Sequence, residues 1–282
     1  MDIWIFTPRK SRETRFSEVA NCYYSSKKFH KYHKEYHKEY HKDKGNLMKI
    51  VSAVYWRAGL HNDANCNSVL LKIAEAKQNN FILAIVCRGI DPSTGDIASG
   101  YLVEEMMKWY DRHHFMIMLH HKSIRAVKRS LTSALKAVHV DLVRYGEKRE
   151  IGLGASLVLL AVWRNKYVIM HLGEEEGYKY KRFPRGKTFD RLSQSNKRYF
   201  SETPSFMSPK ARYGRIRSGE GILLCSRNFL AQLSDRQACD ALKPAGLRKE
   251  HQISRRLASI ADHAGRNGDG WDGSAIYIKF SR

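Results

Sequence analysis

The sequence has no zinc-binding pattern, no paired cysteines and no long apolar run, and each absence removes a class of protein. Its five cysteines (Cys22, Cys66, Cys87, Cys225, Cys239) form no Cys-x-x-Cys pair. An odd, irregularly spaced set fits a reduced, intracellular chain better than a disulfide scaffold. No stretch reaches the roughly 18 apolar residues of a membrane-spanning helix. The N-terminus is basic but lacks the apolar core and small-residue cleavage site of a secretory signal. A cytoplasmic protein with no membrane span is the expectation. Acidic residues are also scarce, with 28 Asp and Glu against 50 Lys and Arg, for a net charge of +22 over 282 residues. That surplus favours anionic partners and says nothing about fold, so nucleic acid enters only through net charge. Residues 1–47 hold 11 basic against 6 acidic residues, so most of the surplus lies in the remainder.

What is present divides at residue 47. The segment HKYHKEYHKEYHKDK within residues 1–47 repeats a short His, Lys and Tyr unit with almost no aliphatic residue. It cannot build a core and reads as a disordered basic extension. His33, His37 and His41 would line one side of a helix as a metal-binding face. The neighbouring lysines disfavour a cation there, and a solvated tail is the simpler reading. A chain that starts at Met48 is a further reading, because MKIVSAVYW opens an alternating strand.

From Lys49 the pattern is that of one mixed domain. Strand-like runs cover Lys49–Trp56, Ser68–Ile73 and Phe81–Cys87. Amphipathic helices are predicted from Gly95 to about His121 and from Ser123 to about Tyr145, with apolar residues such as Ile97, Tyr101, Met106 and Trp109 at helical spacing. The cluster His113, His114, His120 and His121 tempts a metal reading, but adjacent helix positions point about 100° apart. The stretch after Gly152 reads as a three-stranded antiparallel meander with turns at Arg164–Lys166 and Gly173–Gly177. Residues 183–212 read as a long surface loop. Arg215–Ser226 reads as a hairpin, Phe229–Leu242 and Arg248–Ala264 as helices, and Ser274–Phe280 as a closing strand. Sheet-forming segments at both ends with helices between them predict an α+β, four-layer α-β-β-α sandwich of two antiparallel sheets flanked by helices.

Five blocks give this architecture a closer likeness: GLHNDANCNSVL (Gly59–Leu70), AIVCRGIDPSTGDIASGYLVE (Ala84–Glu104), Leu153–Tyr180, GILLCSRNFLAQL (Gly221–Leu233) and NGDGWDGSAIYIK (Asn267–Lys279). In order and spacing they resemble the PPM-type, 2C-class, metal-dependent protein Ser/Thr phosphatases in their bacterial form, over nearly all of residues 48–282. The resemblance implies a centre of Mg2+ or Mn2+ ions in oxygen shells that activates a water for attack on phosphorus. It also implies where the ligands would be. The family's aspartates fall on Asn67, Arg88, Arg227 and Trp271, and Gly89 is where a backbone carbonyl would meet a metal. A guanidinium has no lone pair to give, so a pocket with Arg88 and Arg227 repels Mg2+. Asp63, Asp91, Asp269 and Asp272 lie nearby, but no acid stands near Arg227 until Asp235.

No cofactor and no catalytic residue are therefore expected. The leading expectation is a pseudophosphatase that binds a phosphoprotein, a kinase or another regulatory partner. An active metal-dependent phosphatase with displaced ligands is one alternative, and a basic polyanion-binding protein the other. Arg88 and Arg227, with Arg164 or other basic residues of the rim, are candidate phosphate-binding groups, since arginine forks match phosphate oxygens. The competing expectation is a collapsed cleft, with both arginines paired to Asp91, Asp96 or Asp272 and filled by Trp271. Glu174, Glu175 and Glu176 could serve as acid/base groups, but a solvated hairpin turn is the simpler reading. Cys87 and Cys225, each beside an arginine, offer a thiolate reading or, more simply, apolar packing.

Overall fold

The structure is a computed structural model that describes residues 3–6, 48–57, 66–76, 79–120, 123–183, 186–193, 198–201, 203–227, 229–265 and 272–281. Its strands are β1 (Ile3–Phe6), β2 (Lys49–Arg57), β3 (Asn67–Ala76), β4 (Asn79–Gly89), β5 (Ala155–Trp163), β6 (Lys166–Leu172), β7 (Glu176–Phe183), β8 (Gly186–Arg191), β9 (Lys210–Arg215), β10 (Gly221–Cys225) and β11 (Gly273–Ser281). The helices are α1 (Gly95–His120), α2 (Ile124–Arg149), α3 (Asp235–Ala241) and α4 (Glu250–Gly265). A six-stranded sheet runs β1-β3-β4-β5-β6-β9 and a five-stranded sheet runs β2-β11-β10-β7-β8. Every named pairing is antiparallel.

Alternation along β4 explains the layers. Phe81, Leu83, Ile85 and Cys87 pack with Leu102, Met106, Leu131 and Leu135 of α1 and α2, whereas Ile82, Ala84 and Val86 pack with Ile222, Leu224 and Ile276 of the other sheet. Burial on both faces is why this strand is a continuous apolar run and not an alternating one. The second sheet turns Leu223, Cys225 and Tyr277 towards Leu257 and Ile260 of α4. The resulting order of helices, sheet, sheet and helices is the expected four-layer sandwich. Helix α2 begins at the N-cap Ser123, whose hydroxyl accepts from Ala126 N–H, and ends on Glu150 in the left-handed region at φ 55°.

Several expectations need correction. Residues 3–6 are no part of a free extension: Ile3–Phe6 pairs with β3 in register Ile3↔Lys72 to Phe6↔Val69. The repeat carrying His33, His37 and His41 lies outside the described residues. The meander after Gly152 is only a β5–β6 hairpin, because β7 pairs with β10 and β8 in the other sheet. The chain changes sheets at Gly173, whose φ of +96° no side chain adopts comfortably and whose missing Cβ would lie 2.2 Å from that of Ser156. Likewise Arg215–Ser226 is not a hairpin, since β9 pairs with β6 and β10 with β11 and β7. The supposed loop over residues 183–212 contains β8 and the start of β9. Both strands are short and charged, so they carry no apolar period to read. In the supposed helix Phe229–Leu242, helical structure covers only Asp235–Ala241. No described helix is long and apolar enough to cross a membrane.

Candidate functional site

One end of the sandwich gathers the residues singled out above. Antiparallel register sets Asn67 of β3 opposite Arg88 of β4, and Arg88 opposite Ser156 of β5. Gly89 follows, and its N–H donates to the Cys66 carbonyl at 2.9 Å. A Cβ on Gly89 would lie 2.0 Å from the Gly95 Cα, so the loop after β4 closes onto the start of α1 by backbone contact. That is the physical demand behind a glycine next to Arg88. The loop itself is held by Asp91, whose Oδ1 accepts from Ser93 N–H at 2.7 Å and from Ser93 Oγ at 2.6 Å.

The second sheet closes the same end. Asp272 Oδ2 accepts from Cys66 N–H at 2.9 Å, and its carbonyl accepts from Asn67 Nδ2 at 3.0 Å. Ser226, after β10, and Ser274 of β11 bond through Ser226 N–H to Ser274 O at 2.9 Å and Ser274 N–H to Ser226 Oγ at 3.1 Å. Arg227 comes next, half-exposed, and its Nη1 donates to Glu174 Oε2 at 2.6 Å. Its N–H donates to Glu175 Oε2 at 3.0 Å.

Glu174 to Glu176 are therefore not a solvated turn. Glu174 binds Arg227, and Glu176 binds Arg191 at 2.5 Å. Glu175 is buried, with Oε1 accepting from Ser156 Oγ at 2.6 Å. Burial pushes its carboxyl up to about 7, against the Ser156 hydroxyl, the positive charge of Arg88 and the Arg227 N–H. Sequence reasoning missed Ser156 and did not foresee the burial of Glu175. The only signal was a run of acids directly after Gly173, where the chain changes sheets.

The two arginines differ. Arg227 is committed to Glu174, while Arg88 is exposed and makes no hydrogen bond or ion pair among the described residues. Neither forms an ion pair with Asp91, Asp96 or Asp272. Trp271, Asp63 and Asp269 lie outside the described residues. The supposed helical histidine cluster has other work: His113 Nδ1 bonds the Trp109 carbonyl at 2.8 Å and His114 Nδ1 the Tyr110 carbonyl at 3.0 Å, each ring stacked on that aromatic. Cys87 and Cys225 are buried, and burial raises both thiols well above their ordinary value, which removes the thiolate reading.

Among the described residues no three His, Cys, Asp or Glu side chains are placed to hold a metal ion. Asn67 donates its amide to Asp272 O, Arg88 and Arg227 bring positive charge, and Asp272 Oδ2 already accepts from Cys66 N–H. The described residues alone do not supply the donor set of a divalent pair, because octahedral Mg2+ or Mn2+ needs several anionic or neutral oxygens.

No family model and no curated protein matches this chain in sequence. Solved structures do match in fold. PppA, described as a key regulatory component of T6SS in Pseudomonas aeruginosa, aligns at TM-score 0.64 and 17% identity over 83% of this chain and 99% of its own. The catalytic domain of the serine threonine protein phosphatase PstP, solved with two manganese ions, aligns at TM-score 0.64 and 15% identity over 84% and 100%. Serine/threonine phosphatase Stp1 from Staphylococcus aureus aligns at TM-score 0.66 and 15% identity over 85% and 97%. The chain thus has the fold of the PPM-type protein Ser/Thr phosphatases, across nearly the whole length of those domains.

Proposed function

We propose that this chain keeps the phosphatase fold without metal-dependent hydrolysis and acts as a binding protein for a phosphorylated or regulatory protein partner, with Arg88 as the group that meets a phosphoryl oxygen. The observation that carries this reading is the inequality of the two arginines at the site. Arg227 is neutralised by Glu174 at 2.6 Å, whereas Arg88 stands exposed at the end of β4 with no described partner. The loss of acids at this end supports it further, because a pocket meant for two divalent cations would not place guanidinium groups where ligands belong. A regulatory role is also what the name of PppA reports for a protein of this fold.

The test is a titration of inorganic phosphate and a phosphoserine peptide against wild type and Arg88→Ala. One charge-assisted hydrogen bond is worth about 1.5–3 kcal/mol, so affinity should fall by roughly tenfold or more in the variant. Equal affinities would remove Arg88 as the anion site. A p-nitrophenyl phosphate assay with Mn2+ runs beside it, with turnover at background as the expected result. EDTA-sensitive turnover would favour an active phosphatase with displaced ligands.

A further inference from the structure

At the far edge of the six-stranded sheet, β9 presents five exposed residues out of six, Lys210, Ala211, Arg212, Tyr213 and Arg215. It pairs with β6 along its whole length, from Lys166↔Arg215 to His171↔Lys210, without a bulge. Ile216 N–H donates to Asn165 O at 2.8 Å, and this fixes the phase of the ladder. Residues in phase with Ile216 bond to β6, so Ala211, Tyr213 and Arg215 turn their N–H and C=O groups away from the sheet. The Arg215 carbonyl is taken by Lys179 Nζ. No described residue bonds the outward backbone groups of Ala211 or Tyr213.

The side chains around this edge are basic on both faces. Lys210 and Arg212 point towards the second sheet, where Arg212 Nη1 donates to the Arg191 carbonyl at 3.1 Å. Arg215 points to the helix side beside exposed Lys166, with Tyr213 next to it. The nearby acids are already engaged: Asp190 with Lys181, Glu176 with Arg191, and Glu220 with Lys179.

We propose that the β9 edge docks an acidic, extended segment of another protein, which adds to the six-stranded sheet as a further strand. Main-chain bonds to Ala211 and Tyr213 supply the register, and carboxylates on both faces of the incoming strand meet Lys210 and Arg212 on one side and Lys166 and Arg215 on the other. Charge selects this occupant over those the chain itself could offer. Residues 9–46 of this chain carry a surplus of Lys and Arg, and so would repel the edge. A second copy pairing edge to edge would set these cations against each other, and like charges across a strand pair are destabilising. Lysines can also serve simply to keep edges from pairing. A nucleic acid would satisfy the cations but not the outward backbone ladder. The proposal does not depend on the fate of Arg88, which lies at another place in the fold.

The probe is a fluorescent peptide of repeated Glu-Glu-Val-Val, which as a strand carries carboxylates on both faces, followed by anisotropy at low and moderate salt. Binding is expected, and it should weaken about tenfold when alternate backbone amides of the peptide are N-methylated. Ala211→Pro should weaken it similarly, because it deletes an outward N–H that β6 does not use, and edge strands tolerate proline there. A combined Lys210→Glu and Arg215→Glu variant should abolish binding, while Arg88→Ala should leave it unchanged. Three outcomes would overturn the proposal: no binding at low salt, equal binding of the N-methylated peptide, or tighter binding of a single-stranded oligonucleotide of equal charge that is indifferent to Ala211→Pro. If thermal melting finds Ala211→Pro unfolded, the comparison of the two peptides on wild type decides alone.

Discussion

Two carboxylates are buried at opposite ends of β10, and their surroundings differ. Glu220, just before the strand, faces Lys179 at 2.7 Å and accepts from Arg217 N–H at 2.8 Å. Lys179 also bonds the Arg215 carbonyl and lies 5.4 Å from the Tyr167 ring, though burial still holds its ammonium below the ordinary value. Glu175, bonded to Arg227 just beyond the other end, has only a hydroxyl and a backbone N–H as direct donors, with Arg88 acting through its field. The first end is closed by a complete ion pair within the five-stranded sheet, and Lys179 reaches the six-stranded sheet through the Arg215 carbonyl. The second keeps a carboxyl whose proton is held up to about 7 beside an uncommitted arginine. Polar burial thus serves cohesion at one end and leaves the other electrostatically open.

Breaking the closed end should have the largest effect. Glu220→Ala would strand the Lys179 ammonium in an apolar setting, and losing one partner of a buried pair costs about 3–5 kcal/mol. Urea unfolding should report that loss. A change below about 1 kcal/mol would mean that water reaches the pair, and the contrast between the two ends would then fail.

The open end is sharpened by pH. Unfolded Glu175 ionises near the ordinary glutamate value, while folded Glu175 keeps its proton up to about 7. Between those values the folded state binds more protons, so this group's contribution to stability is present at low pH and is lost as pH rises through 7. A shift of this size corresponds to something on the order of 3 kcal/mol. Glu175→Gln should lack that slope. Unfolding midpoints at pH 4.5 and 7.5 for both proteins check this, and parallel pH profiles would show that the carboxyl ionises freely when folded.

The smallest effect belongs to the rim. Arg227 and Glu174 form a partly exposed pair, and such pairs contribute about 0.2–1 kcal/mol. A double-mutant cycle with Arg227→Ala and Glu174→Gln should give a coupling in that range. Coupling of several kcal/mol would place this pair with Lys179 and Glu220 instead.

The same contrast shows how far the residues could be read in advance. The β4 run and the helical spacing of α1 and α2 were legible because burial imposes a period that survives in one dimension. Asn67 and Arg88 could be placed because they end strands whose apolar cores are unmistakable. Glu175 could not, since a glutamate in a run of three carries no mark of burial; it is enclosed only because Gly173 turns the chain from one sheet into the other. The pairing of β9 with β6 was hidden for a similar reason. KARYGR has no apolar alternation, and its partner lies far back in the sequence.

By itself, then, the sequence determined the layered α-β-β-α architecture and the basic surplus. Composition and hydrophobic period are local properties, and they depend on no partner strand. Tertiary structure alone decided which arginine is neutralised, which glutamate is buried and which strand edge is left open. Those outcomes depend on side chains brought together from β4, β5, the Gly173 turn and β10, and no local pattern encodes which of two like charges will find a partner.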